Sequence, residues 1–200
     1  MPHKTFHNLP EGKRSRFLQA AYAEFARHGY EGASISRLVK HLGIAKGSVY
    51  QYFTDKRELY HYLAKEAFRQ VEALLRQACP WPEGDFYNWY ESLLMAEVKY
   101  YLHLPHRALV LQQAIGSLTE PPGPAAAFRA QRLAWLKPHL PRARQQPMHL
   151  ELLWQGPAFV FRYLTHQHQL QKQLVEGNSI ALPTEEIMRA CLAFGRSIRP

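Results

Sequence analysis

Residues 34–53 of the chain read SISRLVKHLGIAKGSVYQYF. Apolar residues recur at three- and four-residue spacing across 35–42, which predicts a short helix with Ser34 as its N-cap. Gly43 can adopt the left-handed backbone that ends this helix and starts a tight turn. A second short helix is predicted over about 46–53. Two short helices joined by such a turn form a helix-turn-helix.

The outward face of the second helix is basic and rich in hydrogen-bonding groups. Val49 and Phe53 lie one turn apart and are expected to face inward. No Asp or Glu occurs between residues 32 and 54. A helix of this kind can enter the major groove of DNA, which is about 12 Å wide. The residues left on the outward face are Lys46, Gly47, Ser48, Tyr50, Gln51 and Tyr52.

The rest of the chain also has helical periodicity. A helix is predicted over 11–28, and Gly29 ends it. Asp55 and Glu58 form a capping box at the start of another helix, which continues to about residue 78. Pro and Gly clusters divide the remainder into five more helices. The fold is therefore predicted to be all-α, with about nine helices. The last five are predicted over about 85–102, 105–117, 124–138, 146–169 with an interruption or kink at Gly156-Pro157, and 183–199.

Charge is concentrated in the first quarter of the chain. The 200 residues carry a formal net charge of +9, and residues 1–57 hold 10 Lys and Arg against 4 Asp and Glu. This balance favours an acidic partner, either nucleic acid or an anionic membrane surface. No apolar run approaches the about 18 residues of a membrane span. The chain has only two cysteines, Cys79 and Cys191, so no disulfide framework is predicted. A cytoplasmic protein without a membrane partner is expected.

Two segments resemble the DNA-binding region of TetR/AcrR-type transcriptional regulators. They are AAYAEFARHGY at 20–30 and ASISRLVKHLGIAKGSVYQYFTDKRELY at 33–60. The resemblance implies an N-terminal helix-turn-helix DNA-binding domain at 1–54 and a helical ligand-binding and dimerisation domain at 55–200. It further implies a homodimeric regulator, usually a repressor, that a small hydrophobic or aromatic-binding effector of unknown identity releases from a palindromic operator in double-stranded DNA.

The resemblance also implies roles for individual residues. Lys46 is expected at a phosphate or a base edge, and Gly47 is expected to allow close approach of the backbone to DNA. Ser48 and Gln51 are expected to face base edges, since Gln is suited to adenine. The remaining expected contacts are to the DNA backbone, from Tyr50 and Tyr52, from Ser34, Ser36 and Arg37 on the preceding helix, and from Lys56 at the next helix N-terminus.

The C-terminal part contains two sets of apolar residues with candidate functions. For both sets, packing within the protein's own core is the alternative interpretation. The first set is predicted to line an effector cavity: Trp89, Leu93, Tyr100, Trp135, Phe159 and Tyr163. The second set is predicted to form a four-helix dimer interface: Leu153, Trp154, Phe161, Ile187, Cys191, Phe194 and Ile198.

Two other functions stay open on the sequence. One is a helical-bundle enzyme or metal-binding protein, for which Glu58 and His61 have the Glu-x-x-His spacing, but a di-iron site needs a second such pair and none occurs. His166 and His168 are two residues apart and would point in different directions on a helix. The other is an activator or architectural DNA-binding protein without an effector. No catalytic residue, metal ligand or cofactor is predicted.

Overall fold

A computed structural model describes residues 2–81, 85–116, 124–142 and 145–199. The predicted all-α class is confirmed, with eleven α-helices and one 3-10 turn, Lys137–His139, in those ranges. The helices are α1 (Lys4–His7), α2 (Glu11–Gly32), α3 (Ile35–Leu42), α4 (Lys46–Tyr50), α5 (Lys56–Ala78), α6 (Phe86–His103), α7 (Pro105–Gly116), α8 (Pro124–Leu136), α9 (Pro147–Gln167), α10 (Gln171–Glu176) and α11 (Thr184–Ile198).

The capping residues that the sequence indicated bound α3 at both ends and begin α5. The Ser34 hydroxyl accepts from the Arg37 amide at 3.4 Å, as an N-cap does. Gly43 ends α3 in the left-handed conformation with φ of 67°. The Asp55 carboxylate accepts from the Glu58 amide at 2.7 Å at the start of α5. These local contacts turn the chain sharply between α2, α3, α4 and α5.

Helices α1 and α10 were not predicted, and they account for the excess over nine. Helix α1 has only four residues, too few to show a periodic pattern, and it docks through Phe6, which is completely buried. Helix α10 follows α9 after a break at Gln169, whose φ is 52°. It packs on α2 and α7 through Leu170 and Leu174. Both helices depend on tertiary contacts, because helices this short are not stable alone.

Of the expected interruption or kink at Gly156-Pro157, an interruption does not occur, since α9 continues through both residues. Proline has no N–H, so the carbonyl of Leu153, four residues earlier, lacks its usual helical donor. The Tyr90 hydroxyl of α6 donates to that carbonyl instead. A Cβ at position 156 would lie 2.6 Å from the same hydroxyl, so Gly156 permits the close approach of α6 to α9.

The helices at the two ends of the chain share one packed interior. Helix α2 packs on α3 and α5 within the first quarter of the chain and also on α7, while α6, α9 and α11 pack on one another. The buried apolar side chains form a contiguous cluster from Phe6 to Ile198. Among the described residues, no helix has both the length and the apolar character required to cross a membrane.

Candidate nucleic-acid interface

Most polar residues of helix α4 face solvent, while its apolar side packs against the protein core. Val49 and Phe53 are buried beneath it, as the sequence predicted. The helix is shorter than expected, since it ends at Tyr50 with Gln51 as its C-cap. The exposed side chains include Lys46 and Tyr50, the latter 45% exposed. The surface is therefore accessible to a partner without any rearrangement of the core.

The predicted contact residues on and after α4 occupy one continuous surface strip. Gly47 and Gln51 are exposed, and Ser48 is half-buried. Tyr52 is also half-buried, because its ring packs edge-on against Phe17 at 5.7 Å. Its aromatic body is thus part of the packing between α1 and α2.

Arg37 forms an ion pair with a carboxylate, a contact that the sequence did not predict. Its guanidinium meets Glu24 of α2, with Nη2 2.6 Å from Oε1 and Nε 3.1 Å from Oε2, and also donates to the Gly32 carbonyl at 2.8 Å. The same carboxylate accepts from the Ser34 amide at 2.8 Å. The predicted contact of Arg37 with the DNA backbone stays a prediction, and within the chain Arg37 joins α2 to α3. Ser36, its neighbour, is exposed.

Lys56 likewise has partners within the protein. Its ammonium donates to the Glu31 carbonyl at 3.2 Å and the Ala33 carbonyl at 3.3 Å, and it lies 4.7 Å from the centre of the Tyr30 ring. An ammonium has three donors, and two are used to satisfy carbonyls at the end of α2. The predicted phosphate contact of Lys56 stays a prediction, and within the chain Lys56 joins α5 to the end of α2.

The six residues predicted to line an effector cavity differ in burial and in their packing partners. Trp89 packs on Trp135, with ring centres 5.5 Å apart, and its indole N–H donates to the Cys79 carbonyl at 3.0 Å. Leu93 and Tyr100 are buried in the helix packing. The other two candidates, Phe159 and Tyr163, are 55% and 53% exposed on the outer face of α9. That these six residues line one effector cavity stays a prediction.

The residues predicted to form the dimer interface lie mainly in the interior. Six are buried: Leu153, Trp154, Phe161, Ile187, Cys191 and Ile198. Phe194 is half-buried and packs on Phe159, with ring centres 5.7 Å apart.

Other apolar residues of the same two helices face outward, together with Phe194 of the predicted interface. An open groove of about 800 Å³ runs between α9 and α11. Both helices carry apolar residues on more than one face, so periodicity could not separate the inner face from the outer face. The residues that line the groove include Leu152, Phe159, Tyr163, Ala190 and Phe194.

Metal-ligating side chains are scattered across the part of the chain that the structure describes. Within it, no three His, Cys, Asp or Glu residues are grouped in a way that would hold a metal ion. His168 is instead paired with Glu186 of α11 at 2.8 Å.

The surface strip on α4 lies within a segment that has known relatives. Residues 17–63 match the family model described as "Bacterial regulatory proteins, tetR family". The chain is 40% identical over 63 residues to "HTH-type transcriptional repressor AcnR" of Corynebacterium diphtheriae, a match that covers 31% of this chain and 33% of the relative. It thus spans about a third of the length of that curated relative.

Solved structures match over nearly the whole chain. A TetR family transcriptional regulator from Chloroflexus aurantiacus aligns with a TM-score of 0.65 and 28% identity, covering 99% of this chain and 93% of that one. A putative tetR family transcription regulator from Shewanella aligns with a TM-score of 0.72 at 17% identity, covering 92% and 97% of the two chains, which compares the fold alone. Residues 17–63 are thus similar to the tetR family, and the overall fold is similar to that of a solved TetR family regulator.

Proposed function

We propose that this protein is a sequence-specific, DNA-binding transcription repressor that acts as a homodimer. The observation that carries the proposal is the surface of α4, which is exposed, basic and free of carboxylates while its apolar side is buried. The residues proposed to contact DNA bases or backbone are Lys46, Gly47, Ser48, Tyr50 and Gln51, with Ser36 and the Tyr52 hydroxyl at the edges.

The groove between α9 and α11 supports the homodimer. Exposed apolar residues such as Leu152, Phe159 and Tyr163 line this groove, and contiguous exposed apolar surface favours association. Two copies that pair through α9 and α11 would bury this surface in a four-helix interface. The two copies of α4 would then face two half-sites of a palindromic operator.

Control by a small-molecule effector is the remaining part of the proposal. Here residues 1–54 read the DNA and residues 55–200 hold the effector and the dimer contacts. Helix α7 packs on both α2 and α5, so a shift of α7 changes the position of the DNA-reading helices. An effector needs only to bind one arrangement more tightly than the other to change the population.

A direct test selects duplexes from a random-sequence library with the purified protein. We expect a palindromic sequence to be enriched and to bind one dimer. Its affinity should fall steeply between 50 and 200 mM salt, since phosphate contacts release counterions. A protein that enriches no sequence and binds no duplex at low salt would disprove the proposed function. A protein that enriches a single half-site as a monomer would disprove the homodimeric part only.

A further inference from the structure

The N-terminal helix α1 is docked against the end of the proposed recognition helix α4. Phe6 is completely buried and contacts the rings of Phe17, Phe53 and Tyr62, with ring centres 5.8, 4.9 and 5.5 Å away. This packing anchors α1 independently of its polar contacts. The neighbouring residues Thr5 and His3 are exposed at the surface.

Polar groups of this segment bind the carbonyls that follow α4. The Thr5 hydroxyl donates to the Gln51 carbonyl, and His3 Nδ1 lies 3.2 Å from the same oxygen. The His3 amide donates to the Tyr52 carbonyl at 2.9 Å. His3 Nε2 is 3.4 Å from the Thr54 hydroxyl. Carbonyls at a helix end have no partner within the helix, and here a segment more than 40 residues away in sequence supplies their donors.

These contacts matter because α4 has little internal support. It has five residues and its N-cap, Ala45, makes no side-chain hydrogen bond. A helix of one turn is not stable alone. Gln51 is held on both sides, since its amide donates to the Gly47 carbonyl at 3.1 Å and its carbonyl accepts from Thr5. The two bonds fix the backbone from which the Gln51 side chain projects.

We propose that Thr5 and His3 are positioning residues for base recognition, which hold the backbone of Gln51 so that its side chain meets a defined base pair. This inference rests on the proposed function. Base readout by a bidentate amide requires a well-defined geometry, whereas attraction to phosphates tolerates small shifts. The N-terminal segment therefore contributes to sequence preference without touching the bases.

The test compares Thr5→Val, which keeps the shape and removes the hydroxyl, with Thr5→Ser, which restores it. The control is Ser15→Ala, which removes an exposed hydroxyl from α2. The probes are the duplex enriched by the wild-type protein and a scrambled duplex of the same length. We expect Thr5→Val to lower the ratio of specific to non-specific affinity about three- to tenfold, the range for a lost hydrogen bond. Thr5→Ser and Ser15→Ala should keep the wild-type ratio.

The unfolding temperature and the salt dependence of binding show whether Thr5 positions Gln51 or only stabilises the fold. For Thr5→Val we expect an unfolding temperature within about 4 °C of wild type and an unchanged salt slope. An unchanged affinity ratio, or an equal loss of affinity for both duplexes, would overturn the inference and leave the proposed function intact. A wild-type protein that prefers no duplex would remove the proposed function, and the inference with it.

Discussion

Arg132 Nη1 lies 2.8 Å from Glu97 Oε2, and the two side chains are only 5% and 4% exposed. Arg132 Nε also donates to Glu72, so its guanidinium joins α8 to carboxylates of α5 and α6. Burial alone would lower the pKa of Arg132, but Glu97 and Glu72 outweigh it and raise the pKa above its ordinary value. Arg132 thus retains its positive charge in the interior of the helical packing.

Replacing Arg132 should destabilise the protein strongly. Arg132→Leu leaves Glu97 buried without a cationic partner and leaves Glu72 with only Arg76, at 3.4 Å, which costs about 3–5 kcal/mol for a broken buried pair. Denaturant-induced unfolding measures this loss. Arg129→Leu is the matched control on the same helix, because Arg129 pairs with Glu151 at 2.8 Å where the side chains are 41% and 45% exposed. That change should cost less than about 1 kcal/mol; equal losses would contradict the prediction.

The contact between Glu24 and Arg37 should make stability depend on pH. Burial would raise the pKa of Glu24, but hydrogen bonds from Arg37 and the Ser34 amide outweigh it and lower the pKa below the ordinary 4.5. A lowered folded-state pKa stabilises the protein above the unfolded value, and this part is lost as the pH falls through the folded value. Glu24→Gln should therefore reduce the unfolding free energy at pH 7 by about 1 kcal/mol.

The measurement is the difference between wild type and Glu24→Gln at several pH values. We expect this difference to shrink steadily below pH 4.5, because wild type then loses the charged contact that the variant never had. Using the difference removes the effect of other carboxylates that titrate in the same range. A difference that stays constant from pH 7 to strongly acidic pH would show that the Glu24 charge does not stabilise the fold.

Substitutions on the exposed face of α4 should weaken DNA binding without unfolding the protein. Lys46→Ala should lower the affinity for all duplexes and reduce the salt slope by about 1, since one phosphate contact is lost. Tyr50→Phe should weaken binding by removing a hydroxyl. The control is Lys172→Ala, an exposed lysine of α10. Electrophoretic mobility shifts at several salt concentrations check both results. Unchanged affinity for both α4 variants would place the recognition surface elsewhere.

Two substitutions on α9 should separate the dimer surface from the core. Phe159→Glu puts a charge into the apolar groove and should shift the molar mass in solution from dimer to monomer at micromolar concentration, with little loss of secondary structure. Leu153→Ala removes a completely buried side chain and should cost about 2–5 kcal/mol. Light scattering after size exclusion measures the mass. A Phe159→Glu protein that remains dimeric would contradict pairing through this groove.

The helix-turn-helix could be predicted from the sequence in detail because its signals are local. Ser34, Gly43 and Asp55 act within a few residues of themselves, through caps and a left-handed turn. The inward placement of Val49 and Phe53 follows from helical spacing alone. The predicted all-α class and the carboxylate-free surface of α4 therefore needed no tertiary information.

Only the tertiary structure decided which apolar face of α9 and α11 is interior, because both faces carry apolar residues at helical spacing. The tertiary structure also decided that Arg37 and Lys56 contact groups of α2. It likewise placed the Tyr90 hydroxyl of α6 against the Leu153 carbonyl. Helix α1 is the clearest case, since its four residues have no periodicity of their own and acquire a role where Phe6 meets the aromatic rings behind α4. Contacts between residues far apart in the chain depend on how whole helices pack, which local spacing does not encode.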